Sequence, residues 1–221
     1  CLEKLPGDYI LEEEGMKSLS DAEQTLTGIY TAYMSSALYS GYLTLCPDIQ
    51  ADFVYAVQGN TNQFGTHWLW DIRSTNAEIE SVYAALYRVI GRCNFYLDQV
   101  EELRNSLTDD EEIQYLDYYT GETYCARALA YSELLKCFCK AYDPATAENE
   151  LGLVMADSYF GDKPQTRATL KASYDFVIGD LKKAEELLDE ENDYFDAAYF
   201  TNAAAHAIHA RVALYMQDWD A

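Results

Sequence analysis

Trp68 and Trp70 stand two apart in a stretch, residues 40–75, that carries no sustained helical stripe. In an extended chain such a pair faces one side. An indole ring stacks on the apolar face of a pyranose, and Asp71, Arg73, Asn60 and Asn62 carry the donors and acceptors that sugar hydroxyls require. The alternative is that one or both rings pin the stretch to the helices around it. Phe53, Tyr55 and Phe64 share the segment and argue against disorder. Gly41, Pro47, Gly59 and Gly65, with a turn at 60–62, punctuate it as a long irregular connection, a class that is often functional.

Other residues with chemical potential lead to blander readings. His206 and His209 have i,i+3 spacing on a predicted helix, but no third ligand follows at a metal-site spacing, so packing is the favoured role. Asp109 to Glu112 and the pair Glu185 and Glu186 read as helix-end and solvent-face charges. The chain has no GxSxG, HExxH, phosphate-binding glycine loop or EF-hand loop. No catalytic residue, metal site or cofactor is therefore expected. Cys46, Cys93, Cys125, Cys137 and Cys139 contain no CxxC spacing and read as small buried residues, with one inter-helix disulfide left open.

The elements that must hold the 40–75 stretch are helical. Ser20 and Glu23 form a capping-box pattern, followed by Ala22, Leu26, Ile29, Tyr30, Tyr33, Met34 and Ala37, which predicts a helix over about 21–39. Ile79, Val82, Leu86, Ile90, Cys93, Leu97 and Val100 predict a second over 76–104. Thr108 and Glu111 mark a second box and a helix over 109–142, ended by Pro144. Within it, Ala126, Ala128 and Ala130 leave room for a neighbour, and Gly121 costs about 1 kcal/mol relative to Ala unless another backbone packs there. Two more helices are predicted over 170–190 and 201–216, with loop at 143–168. Residues 1–19 read as an extended leader, and residues 20–221 as the helical domain.

Composition limits the partners. The chain has 221 residues, 49% of them hydrophobic, with 11 Gly and 4 Pro, which excludes a disordered or low-complexity class. Fifteen Lys and Arg against 38 Asp and Glu give a net charge of −23, so nucleic-acid binding is excluded by repulsion from phosphate. No apolar run reaches the roughly 18 residues of a membrane span. The chain begins at Cys1, and residues 217–221 open a new helix without completing it, so a truncated C-terminus is expected.

Residues 210–221 (ARVALYMQDWDA) resemble the turn of a tetratricopeptide repeat. Cys1, YAALYRVIGRCN (83–94), TGETYCARALAYSELLK (120–136), YDFVIGDLKKAEELL (174–188) and TNAAAHAIHARVALYMQDW (201–219) follow in an order similar to the amino-terminal part of SusD/RagB-like outer-membrane lipoproteins. The resemblance implies an all-α scaffold of tetratricopeptide-like helical hairpins with a long irregular insertion loop. It implies a lipid on Cys1, a place on the outer face of the outer membrane, and a SusC-like TonB-dependent transporter as partner. The implied ligand is an oligosaccharide or starch-like glycan, with peptides captured by some members, and the implied role is binding without catalysis.

The pattern departs in two places: Asp52 is a loose match to the family's acidic loop element, and Val82 and Tyr83 stand where the family often has Trp. The expected ligand set is thus Trp68, Trp70, Asp71, Arg73, Asn60, Asn62 and Asp52, with a tyrosine-rich concave helical face docking the transporter. The competing expectation is a tetratricopeptide-like adaptor for a peptide or protein.

Overall fold

The computed structural model describes residues 15–55, 57–59, 61–62, 64–159, 166–188 and 198–220. Among them run α1 (Leu19–Tyr33), α2 (Tyr42–Gln50), α3 (Gly65–Trp68), α4 (Ala77–Leu97), α5 (Val100–Ser106), α6 (Asp110–Phe138), β1 (Leu151–Val154), β2 (Arg167–Thr169), α7 (Leu170–Leu187) and α8 (Asn202–Met216). The predicted leader at 1–19, its Cys1 included, lies almost wholly outside the described residues.

The long helices form because caps and stripes coincide. Ser18 caps α1, its hydroxyl accepting from Asp21 N–H, and Asp21 accepts in return from Lys17 N–H. The box is therefore two residues earlier than Ser20 and Glu23. Asp109, rather than Thr108, caps α6 by accepting from the N–H groups of Glu111 and Glu112. Thr169 and Thr201 cap α7 and α8 in the same way. Buried Ala22, Leu26, Ile29 and Ala32 make one stripe on α1, and Val82, Ala85, Leu86, Val89, Ile90 and Cys93 make another on α4.

The helices stack in the order α1, α4, α6, α7, α8, with α6 also touching α1 and α8. Having neighbours on several sides, α6 is buried almost all round from Thr120 to Leu135. Gly121 meets α7: a Cβ there would lie 2.8 Å from Leu188 Cγ and 3.1 Å from Leu187 Cβ. The expected close approach exists, but to side chains rather than to a second backbone. Gly121→Ala is expected to lower stability by about 1 kcal/mol, because overpacking of about 1–3 kcal/mol exceeds the helix propensity of up to about 1 kcal/mol that Ala gains. The urea midpoint, at unchanged m-value, is the check.

Four predictions change. The helix predicted over 21–39 stops at Tyr33, and Met34 of its predicted stripe is exposed. The helix predicted over 76–104 is broken at Asp98 and Gln99 into α4 and α5. The helix predicted to run to 142 stops at Phe138, with Cys139 already extended, so Pro144 is not its terminator. The predicted loop at 143–168 contains β1 and pairs antiparallel with β2, Leu151 opposite Thr169 and Val154 opposite Arg167. This small ribbon packs on α7 and leaves the architecture all-α in character.

Of the 20 tyrosines, several among the described residues join their helix to another segment. Tyr33 OH donates to Ala126 O, Tyr87 OH to Val154 O and Tyr131 OH to Ala156 O, while Tyr96 OH pairs with Thr120 Oγ1. Each ring fills a gap between helices and its hydroxyl satisfies a polar atom there. The five cysteines among the described residues are free thiols; Cys46, Cys93 and Cys125 are buried, and burial pushes the Cys46 thiol up to about 11. His206 and His209 do more than pack: both Nδ1 atoms lie beside Glu185 Oε1, at 3.2 and 2.7 Å, joining α8 to α7. Among the described residues, no helix is long and apolar enough to cross a membrane.

Candidate functional site

The stretch predicted as irregular over 40–75 carries two short helices. Leu43, Cys46 and Ile49, three apart, bury one side of α2 against α4. Pro47 inside α2 disguised that stripe, since Pro normally argues against a helix interior. After α2 the chain turns left-handed at Asp52 (φ 60°) and again at Asn62 and Phe64, both at φ 59°. It then forms a knuckle around α3. Asp71 N–H donates back to Thr66 O at 2.9 Å, and the Thr66 hydroxyl accepts from Asn76 Nδ2 at 3.1 Å. Because Asn76 Oδ1 also caps α4 by accepting from Ile79 N–H, the knuckle is tied to the start of that helix.

The residues that seat the knuckle are Phe64 and His67. Phe64 meets the Tyr42 ring edge-on at 5.9 Å and the His67 ring at 6.1 Å, and His67 is fully buried. The tryptophans are left outward: Trp68 is 44% exposed and Trp70 is 67% exposed. Trp68 thus keeps more than half of its surface covered, while Trp70 lies mostly in solvent. The backbone basis for their common orientation does not hold, however. Trp68 ends α3 and Trp70 is left-handed at φ 56°, so they do not alternate along an extended strand.

The polar candidates divide. Asp71 and Arg73 are brought together with the tryptophans but engage each other, Arg73 Nη2 donating to Asp71 Oδ2 at 2.9 Å and Nε to Oδ1 at 3.2 Å. That hydrogen bond and the adjacent carboxylate hold the Arg73 guanidinium above its ordinary value. Asn62 sits over Gly65, where its Oδ1 would be 2.2 Å from an added Cβ. Asp52 is exposed at the end of α2, and its carboxylate makes no bond among the described residues. Asn60 lies outside the described residues.

Two features of this segment exceed what packing requires. Among the described residues, eight of the eighteen large hydrophobic side chains left exposed fall between Phe53 and Ile72, including Phe53, Tyr55, Trp68 and Trp70. Among the described residues, four of the five non-glycine residues with left-handed backbone lie between Asp52 and Trp70: Asp52, Asn62, Phe64 and Trp70. Such backbone costs about 1–3 kcal/mol per residue and collects at ligand clamps and switch regions, and exposed apolar clusters mark interaction sites.

Beside the knuckle lies a cavity of about 440 Å³, within the range of ligand pockets. Tyr42, Cys46 and Gln50 of α2, Ile79 of α4 and Phe138 of α6 line it, and Ile72 of the knuckle completes the wall. Sequence reasoning missed this cavity. The three-residue spacing in α2 was its one local signal; the meeting of α2, α4 and α6 is not local.

A family model described as SusD-like, starch-binding associating with outer membrane, matches residues 8–214. No curated protein matches the chain. Among solved structures, a putative sugar binding protein from Bacteroides vulgatus shares 26% identity at a TM-score of 0.78, over 93% of this chain and 44% of the other. A SusD superfamily protein from Bacteroides fragilis shares 25% identity at a TM-score of 0.76, over 93% and 48%. A laminarin binding SusD-like protein, at 18% identity and a TM-score of 0.66 over 90% and 41%, shares the fold. The chain thus spans less than half the length of these structures.

Proposed function

The chain belongs to the SusD-like family, and on that premise we propose that it captures glycan at the cell surface and delivers it to a SusC-like TonB-dependent transporter. The observation that carries the reading is the exposed aromatic run with left-handed backbone between Asp52 and Ile72. Its indoles offer flat apolar faces to sugar rings, and a knuckle bonded to α4 holds them without ordering on arrival, which keeps the entropic cost of binding low. The paired Asp71 and Arg73 are at hand to re-pair with hydroxyls. The role is capture, with no bond made or broken. In this reading Cys1 carries the lipid anchor to the outer membrane, and two or more acyl chains make such an anchor stable.

Calorimetry with laminarin and starch oligosaccharides tests the loop. Trp68→Ala and Trp70→Ala are each expected to weaken binding about five- to tenfold, roughly 1 kcal/mol for one lost stacking contact. Both rings are exposed, so far-ultraviolet circular dichroism should not change. Full affinity in both variants would remove the loop from the site.

A second reading has its own support. Val54, Val57, Leu69 and Ile72 are also exposed in this run, and aliphatic side chains suit a protein surface better than a sugar. There the run would dock a protein or peptide, the transporter included. Charged substitutions at Val57 and Leu69 that abolish protein capture while leaving glycan affinity intact would favour it.

A further inference from the structure

A groove of about 880 Å³ lies away from this loop, between α1 and α4. Gly28 of α1 and Gly91 of α4 open it, and a Cβ added at Gly91 would meet nothing within 4 Å. Arg88 and Arg92, one helical turn apart on α4, line one wall, with Phe95 beyond them. Tyr159 closes the end, its ring edge-on to Phe95 at 5.3 Å.

This rim is built. Tyr87 OH donates to Val154 O, and Asn94 Nδ2 and Tyr131 OH both donate to Ala156 O. Asp98 Oδ2 accepts from Ser158 Oγ at 2.9 Å and from Tyr159 N–H at 2.7 Å. These five hydrogen bonds hold residues 154–159 against α4 and α6 and carry Tyr159 to the mouth of the groove.

Its charge runs against the rest of the molecule. The protein carries −23, yet no carboxylate lines the groove among the described residues. Arg92 donates to the backbone carbonyl of Gly28, and among the described residues neither Arg88 nor Arg92 forms an ion pair. Two like charges at i,i+4 repel unless something anionic lies between them. In a chain with 38 acidic residues, two adjacent guanidiniums without a carboxylate leave a place for one from outside.

We infer that this groove binds a carboxylate-bearing saccharide, a uronate unit, with Arg88 and Arg92 on the carboxylate and the Phe95 and Tyr159 rings against the sugar. The inference rests on the glycan-capture reading but uses a surface separate from the tryptophan loop.

The test is calorimetry of the protein with α-1,4-linked trigalacturonate, its methyl ester and a neutral glucan. The acid is expected to bind at least tenfold more tightly than the ester, with affinity falling as salt is raised. Arg88→Gln, and Gly91→Met, which fills open space in the groove, should each cost at least tenfold for the acid. Trp70→Ala should not affect it, and circular dichroism reports folding of each variant. Equal binding of acid and ester, or equal binding of a triglutamate peptide, overturns the inference. Loss of acid binding in Trp70→Ala but not in Arg88→Gln also overturns it and moves the acid to the loop. Glucan binding that depends on the tryptophans, without any uronate binding, overturns the groove and leaves the loop reading standing.

Discussion

Replacing Arg127 by Leu is expected to cost about 3–5 kcal/mol, the usual loss when one partner of a buried ion pair is removed and the other stays behind. Arg127, at the middle of α6, donates through Nε and Nη2 to the two carboxylate oxygens of Asp180 on α7, at 2.7 and 2.8 Å, and through Nη1 to Asn94 Oδ1 on α4 at 2.7 Å. Arg127 is 5% exposed and Asp180 3%. The Phe176 and Tyr124 rings lie against the guanidinium, with centroids at 5.0 and 5.6 Å. In the variant, burial leaves the Asp180 carboxylate without its counter-charge, and Asn94 loses an acceptor's partner. Domains are commonly stable by about 5–15 kcal/mol, so this one change removes a large fraction.

The pair is not thereby a net source of stability. Desolvating both ions opposes their attraction, and the double variant Arg127→Leu, Asp180→Leu should recover most of the loss. Urea unfolding of the two singles and the double tests this. Additive losses would show that the residues do not act on each other. Because Asn94 also holds Ala156, the Arg127 single variant should in addition loosen the 154–159 segment, read as faster amide exchange there.

Stability should fall by about 3 kcal/mol as pH rises from about 4.5 to about 7, through one carboxyl group. Glu122 lies one residue after Gly121 on α6, 9% exposed, and burial pushes its carboxyl from an ordinary 4.5 up to about 7, with the Tyr30 hydroxyl that donates to Oε2 pulling slightly the other way. Below pH 4.5 the folded and unfolded chains both hold the proton and nothing is lost. Between 4.5 and 7 the unfolded chain has released it and the folded chain has not, so each pH unit favours unfolding by about 1.4 kcal/mol. Above 7 both are ionised and the loss is complete. Glu122→Gln keeps an acceptor for Tyr30 and has no proton to lose. It should match the parent near pH 4.5 and exceed it by up to about 3 kcal/mol at pH 8. Parallel pH dependence in both proteins would mean that Glu122 ionises normally in the folded state.

Tyr30 makes this group matter to the whole rack. Its hydroxyl accepts from Phe200 N–H at 2.8 Å, and its ring stacks on Phe200 at 5.6 Å. One tyrosine thus couples α1, α6 and the entry to α8. No spacing in the sequence points from Tyr30 to Glu122 or to Phe200.

The contrast between legible and illegible parts follows from range. Stripes such as Leu26 and Ile29 on α1, or Val82, Leu86 and Ile90 on α4, are set by residues a turn apart, so the five long helices and the all-α class could be read directly. The aromatic pair Trp68 and Trp70 marked the segment as a candidate, while whether the rings pinned it or faced outward was open in the sequence. Errors arose where a local signal had more than one solution. Ser20 offered a cap by its spacing to Glu23, but Ser18 took the position through the reciprocal bonds of Asp21. Pro47 argued against a helix that burial against α4 nonetheless stabilises.

By itself the sequence determined a helical rack, an acidic surface, a family resemblance and an aromatic excursion between the first two long helices. Tertiary structure alone decided that Phe64 and His67 turn inward while the indoles turn out, that Asp71 engages Arg73, that Glu122 is buried under Tyr30, and that Arg88 and Arg92 share a groove with Tyr159. Periodicity records which face of an element avoids water. The partner of a buried charge or the far wall of a groove comes from residues tens of positions away, and only the packed chain brings them within a few ångströms.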